Sequence, residues 1–176
     1  MIITRAWIQE FIDISKISTD DICKTLNSIG LEVDNVKKIK NPENVVVGRV
    51  IKKEKHPDAD KVSVCQVDLG KKVVQIVCGA KNVAQNQFVP VAVVGCKLSK
   101  DFVIEKAKLR GLESNGMICS SNELGLPALN DGILELDDSI GELLLGKELN
   151  EYKLFNDDVI EIELTANRGD CLSING

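Results

Sequence analysis

Between Val45 and Ser120 the chain is a succession of short β-branched segments, each closed by glycine, proline or a polar cluster. Val45 to Lys53, Val62 to Asp68, Val73 to Val77 and Phe88 to Val94 are the densest; Val103 to Leu109 and Met117 to Ser120 are shorter. Branched side chains pack well on a pleated surface, so these read as strands. His56-Pro57-Asp58-Ala59-Asp60 reads as a loop, and Leu69-Gly70-Lys71-Lys72 turns one strand back into the next. Cys78 to Asn82 leaves the third strand, and Gly111 to Gly116 separates the last two. Pro90 has no amide hydrogen, which places its strand at an edge or a bulge. Five or six short strands with glycine-rich turns predict a small barrel.

The flanks read differently. Thr4 can cap a short helix carrying Trp7, Ile8, Phe11 and Ile12 on one face. A second helix begins at Ser18, whose side chain can accept from the amide of Asp21, an anion placed favourably for the helix dipole. Ile22, Leu26 and Ile29 follow on one face, and Gly30 supplies the left-handed residue that ends it. Leu31 to Ile39 reads as a strand. Asn41-Pro42-Glu43-Asn44 is a turn cluster and the first boundary. After Pro127 the chain turns acidic, with further strands expected at Gly132 to Leu136 and Asp157 to Leu164. Asn167-Arg168-Gly169-Asp170 looks like a helix entry shortly before the last residue, as expected of a fragment of something longer.

Composition excludes several classes. Apolar residues are 44% and charged residues 28%, the balance of a chain able to bury a core. No apolar run approaches the ~20 residues of a membrane helix, and no basic stretch followed by an apolar one marks a secretion signal. Six cysteines lie scattered without a C-x-x-C pair, beside a single histidine, His56. That pattern supplies no zinc site, and no metal ligand set is expected. Reduced thiols and a cytoplasmic location are the expectation. Cys78 and His56 as nucleophile and base are disfavoured, because His56 sits in a proline-fixed turn with no evident orienting partner.

Charge is partitioned along the chain. Residues 44–125 carry 13 Lys/Arg against 8 Asp/Glu, net +5, whereas residues 1–43 carry −1 and residues 126–176 carry −9. Solvated faces alone can produce this; a basic middle that meets a polyanion is the sharper reading. Lys52, Lys53, Lys55, Lys61, Lys81, Lys106, Lys108 and Arg110 are the candidate phosphate contacts. Only Phe88 and Phe102 are aromatic in this stretch, too few to stack successive bases. Backbone and shape should therefore dominate recognition of RNA.

Three ordered motifs then carry a resemblance: His56-Pro57-Asp58-Ala59-Asp60-Lys61; Ile76-Val77-Cys78-Gly79-Ala80-Lys81-Asn82; and Leu109-Arg110-Gly111 with Ser114 and Gly116-Met117-Ile118-Cys119-Ser120. Together they resemble the tRNA-binding OB domain shared by several synthetases and by endothelial-monocyte-activating-polypeptide-like proteins. Trp7, Gly30-Leu31-Glu32-Val33-Asp34, Glu123-Leu124-Gly125, Asp131 to Leu136 and Thr165 to Leu172 extend the likeness over essentially the whole chain. The extended pattern resembles the N-terminal region of bacterial phenylalanyl-tRNA synthetase β chains. Val62 stands where that family usually has Leu, and Ala166 where it has Pro.

The resemblance implies an α+β, mainly β architecture: a five-stranded OB-fold barrel, residues 41–150, inserted in a small discontinuous α+β host of residues 1–40 and 151–176. It implies tRNA as partner, and an α chain in an (αβ)2 heterotetramer that attaches phenylalanine to tRNA using ATP and Mg2+. No catalytic site, cofactor or membrane contact is expected in these residues, because the family's reaction sites lie elsewhere. The candidate tRNA contacts are Lys61, Asn82, Arg110, Ser114, Met117 and Ser120. Lys61 and Arg110 would meet phosphates, Asn82 a sugar or base edge, and Met117 a base or sugar face; Ser114 and Ser120 would be hydroxyl donors. Each has a plain structural reading beside it: Asn82 capping a turn, Met117 in the core, a lysine merely solvated. An interaction scaffold that does not bind RNA, and a free-standing OB-type tRNA-binding protein, are the alternatives.

Overall fold

The structure, a computed structural model, describes residues 1–99, 102–109, 111–126 and 130–164. In chain order the strands and α-helices are β1 (Ile2–Thr4), α1 (Arg5–Phe11), α2 (Thr19–Ser28), β2 (Glu32–Lys40), β3 (Val45–His56) and β4 (Ala59–Asp68). Then come β5 (Val73–Cys78), β6 (Phe88–Val93), β7 (Lys97–Ser99), β8 (Phe102–Val103), β9 (Ala107–Leu109), β10 (Leu112–Ser114), β11 (Gly116–Ile118) and β12 (Asn156–Glu163). The chain forms two compact units: Asn41–Tyr152, and Met1–Lys40 with the segment from Lys153 onward.

In the unit containing the N-terminus, β12 lies between β1 and β2, antiparallel to both. Thr4 caps α1 by accepting from the Trp7 amide at 3.2 Å. Ser18 caps α2 by accepting from the Asp21 amide at 3.1 Å and donates to the Asp21 carboxylate at 2.7 Å. Gly30, at φ +85°, ends that helix in the left-handed region, as its sequence position predicts. Ile3, Ile14, Ile22, Ile160 and Ile162 form the core. The apolar face expected on α1 is not buried: Ile8 packs on the core, but Trp7 is 38% exposed, Phe11 61% and Ile12 59%. Ile14 and Ile22 already occupy the small sheet's apolar face, leaving α1 room to contribute one side chain.

In the other unit the strand order is β11-β6-β3-β4-β5, all antiparallel. The sheet curls until its ends meet, with the Asn115 amide donating to Gln75 O at 2.8 Å. Val50, Cys65, Val67, Ile76, Val89, Val91 and Ile118 fill this nearly closed barrel. The first half of β3 is covered by a later segment: Val47 N donates to Lys147 O at 2.9 Å and Gly146 N to Val47 O at 2.8 Å. Gly146 is fixed there by a positive φ and by Leu69 O, 2.5 Å from where a Cβ would sit.

Four expectations are corrected. Pro90 lies in β6, an interior strand rather than an edge. Its missing N–H points toward β11, whose pairing stops at Ile118 opposite Val91, and its carbonyl accepts from Cys119 N at 2.9 Å. The His56–Asp60 loop is shorter than expected: β3 runs through His56 and β4 restarts at Ala59, with Pro57 and Asp58 between them. Val103 to Leu109 is not one strand, because Ile104 is buried and bonded in both directions to the Gly95–Cys96 turn. Gly132 to Leu136 makes only single links, Leu134 N to Cys119 O and Leu136 N to Phe88 O. The helix entry expected at Asn167 to Asp170 lies outside the described residues.

Candidate nucleic-acid interface

The cationic side chains of the barrel fall into distinct places. Lys52 faces away from the core and pairs with Glu54 at 3.0 Å. Lys53, opposite the buried Cys65, donates to Val83 O at 2.6 Å and so braces the loop after β5. Neither is free to define a phosphate wall. Lys55 and Lys61 instead sit at the β3–β4 tip, both exposed. There one step on β3, Lys55 to His56, faces four on β4, Ser63 to Ala59, so Asp60, Lys61 and Val62 form a wide bulge. Bulges re-aim side chains, and this one carries the lysine expected to be a phosphate contact.

Lys106 and Lys108 belong to a second basic element, the β9–β10 hairpin. His56 joins the two. Its ring is 4% exposed; Nδ1 accepts from the Asp58 amide at 3.1 Å, and Nε2 lies 3.3 Å from Leu109 O. Four exposed lysines thus belong to two segments joined at one end of the barrel. Carboxylates are interleaved among them: Asp58, Asp60, Glu105 and Glu113, the last opposite Lys108 in register. Arg110 lies outside the described residues.

The other candidates separate by environment. Ser114 is 3% exposed; its hydroxyl accepts from Val77 N and donates to Gly116 O, both at 3.1 Å. It pins β5 to β11 and closes the barrel, so the expected RNA-facing hydroxyl is corrected to an inward one. Asn82 clips a loop, with Nδ2 donating to Ile133 O at 2.9 Å and Oδ1 accepting from Ile133 N at 3.0 Å. Gly132 must be glycine for this clip, since a Cβ there would lie 2.0 Å from Asn82 Oδ1.

Met117 and Ser120 are half-exposed and line a cleft of about 330 Å³ with Cys78, Gly79, Glu123 and Asp131. Ser120 is bonded to Glu123 of the short 3-10 turn Asn122–Leu124: Glu123 accepts from the Ser120 amide at 2.6 Å and hydroxyl at 2.9 Å. The cleft's rim is acidic, unsuited to a phosphate but open to a sugar or base.

Burial pushes the Cys65 thiol up to about 11 and Cys119 to about 12, and raises Cys78 as well. A buried Cys78 thiol held protonated, and a histidine whose two ring nitrogens are engaged with Asp58 and Leu109, make no nucleophile–base pair. Among the described residues there is no group of three potential metal ligands, and no helix is long and apolar enough to cross a membrane.

Residues 45–142 match the tRNA_bind model, the family of tRNA binding domains, so the match takes in the barrel and more than half of the chain. The chain belongs to that family. Over its full 176 residues it is 61% identical to the phenylalanine–tRNA ligase β subunit of Wolinella succinogenes, covering 22% of that protein. The corresponding subunit of Campylobacter jejuni is 56% identical over the same span, with 23% covered. The chain thus spans about a fifth of the length of these curated relatives. Among solved structures, the MetRS related protein from Pyrococcus horikoshii superposes with a TM-score of 0.45 at 22% identity, over 61% of this chain and 89% of that one.

Proposed function

We propose that this chain binds tRNA through the lysine-bearing end of its barrel, as a segment of a phenylalanine–tRNA ligase β subunit. The observation that carries this reading is the joining of the Lys55/Lys61 tip to the Lys106/Lys108 hairpin, within a domain of the tRNA-binding family. Ammonium groups there displace counterions from phosphates. Lys61 and Arg110 take phosphates, Met117 and Ser120 offer the cleft to a sugar or base, and Asn82 and Ser114 support the scaffold that presents them. The barrel is an insertion in an α+β host domain. In the cytoplasm the parent enzyme, with its α chain in an (αβ)2 assembly, joins phenylalanine to tRNA using ATP and Mg2+. The role of these residues is to bind and position.

The interleaved carboxylates favour one competing reading, a scaffold that braces the enzyme without touching RNA. Filter binding of tRNA across a salt series separates the two, with the intact enzyme alongside. A linear fall of log affinity with log salt is expected, its slope reduced by about 1 in Lys61→Ala. Salt-insensitive or absent binding by both chain and enzyme overturns the proposal.

A further inference from the structure

We infer that His56 is a positioning residue for RNA: by bonding Leu109 O it locks the β9–β10 hairpin against the β3–β4 tip, so that lysines from both present as one surface. The inference rests on the tRNA-binding reading above and adds to it a residue that touches no RNA.

The chemistry of the ring fixes the direction of both bonds. Asp58 donates its amide hydrogen to Nδ1 at 3.1 Å, so Nδ1 is an acceptor. The ring hydrogen is then on Nε2 and points at Leu109 O, 3.3 Å away. The first bond shapes the turn at Pro57–Asp58; the second reaches across 53 residues of sequence. One side chain therefore sets the form of one basic element and its distance from another.

The hairpin's other anchors lie on β10, where Glu113 O accepts from Gln75 Nε2 at 2.8 Å and Ser114 Oγ accepts from Val77 N at 3.1 Å. β9 pairs in register only with β10. Among the described residues, the His56 contact is the hydrogen bond that ties Ala107–Leu109 to the β3–β4 tip. At the tip itself Lys55 and Lys61 are exposed while His56 between them is buried. Lys55 adjoins His56 and Lys108 adjoins Leu109 in sequence, so the bond sets how far apart the two lysine-bearing segments lie. Without it, the hairpin's lysines would be held to the barrel through β10 alone among the described hydrogen bonds. Holding them in place beforehand removes an ordering cost from binding. The Leu109 side chain, 46% exposed, gives the hairpin little apolar anchorage of its own.

Two substitutions divide the two ring nitrogens. His56→Asn keeps an oxygen near the Nδ1 position, able to accept from Asp58, but cannot reach Leu109. His56→Gln extends an amide nitrogen toward the Nε2 position and can donate to Leu109 O. The full chain is titrated with tRNA across a salt series, and amide exchange is followed at β9 and β10. In His56→Asn the expected result is binding about tenfold weaker, a salt slope shallower by about 1 to 2, and faster exchange in β9–β10 while the barrel strands stay protected. His56→Gln should restore most of the affinity and the slope. A purely structural histidine would change melting temperature and leave the slope alone.

If the unsubstituted chain shows salt-dependent binding and His56→Asn matches it in affinity and slope, the inference falls and the tRNA reading stands. If neither the unsubstituted chain nor the intact enzyme binds, both fall; if only the enzyme binds, the same variants are read in it. Should the histidine variants fail to fold, a double-mutant cycle between Lys55→Ala and Lys108→Ala decides: coupled losses support one surface, and strictly additive losses overturn it.

Discussion

Ser114→Ala is the sharpest test of what closes the barrel. The substitution removes one oxygen at a site 3% exposed and leaves the Val77 amide and the Gly116 carbonyl without their partner. Water cannot replace it easily, because Val77 is itself buried at 9% exposure. An orphaned buried backbone donor costs roughly 1–3 kcal/mol, and the weakened carbonyl adds a smaller amount. A total of about 2–3 kcal/mol lowers the melting temperature of a domain of this size by roughly 8–12 °C. Calorimetry reads the shift directly. Binding of tRNA, measured well below both melting temperatures, should keep its salt slope and its affinity within about twofold. An unchanged melting temperature with severalfold weaker binding would refute the reasoning, since the hydroxyl would then be facing the ligand.

Other perturbations probe separate parts of the molecule. Gly48→Ala places a Cβ 2.8 Å from both Val67 Cγ1 and Val91 Cγ2, so overpacking should cost about 1–3 kcal/mol in urea unfolding. Asn82→Ala unclips Ile133 at a cost of about 1–2 kcal/mol, read as faster amide exchange at Ile133 with the barrel core still protected. The Cys119 thiol, ordinarily near 9, is raised to about 12 by burial, and both states hold it neutral below pH 9. Above that the unfolded chain ionises first, so stability should fall as pH rises from 9 toward about 12; Cys119→Ala should lessen that fall in urea midpoints taken against pH.

Much of the local structure was legible because its causes are local. Thr4, Ser18 and Gly30 act on atoms within four residues of themselves. The Leu69–Lys72 turn does too: Asp68 accepts from the Gly70 amide at 2.8 Å, and Gly70 takes φ +80°. The misses are choices of distant partner. Whether Pro90 tolerates an interior strand depends on where β11 stops, and Gly132 to Leu136 fails as a strand because its links alternate between Cys119 and Phe88. The site divides the same way. Charge and the family resemblance mark Lys61, but a hydroxyl pattern cannot say that Ser114 turns inward, nor an amide that Asn82 meets Ile133. His56 looked like one loop residue among several; its carbonyl partner sits on another hairpin, which no local pattern announces.

The two intrinsic chromophores are divided between the two units. Trp7, the sole tryptophan, lies on α1, partly in solvent. Tyr152, the sole tyrosine, is buried in the barrel unit, where its hydroxyl donates to Glu142 O and accepts from the Leu144 amide. Indole emission therefore reports the fate of the small α+β unit and phenol absorbance that of the barrel. Each unit carries its own optical label, and a single untagged sample can tell which of the two melts first.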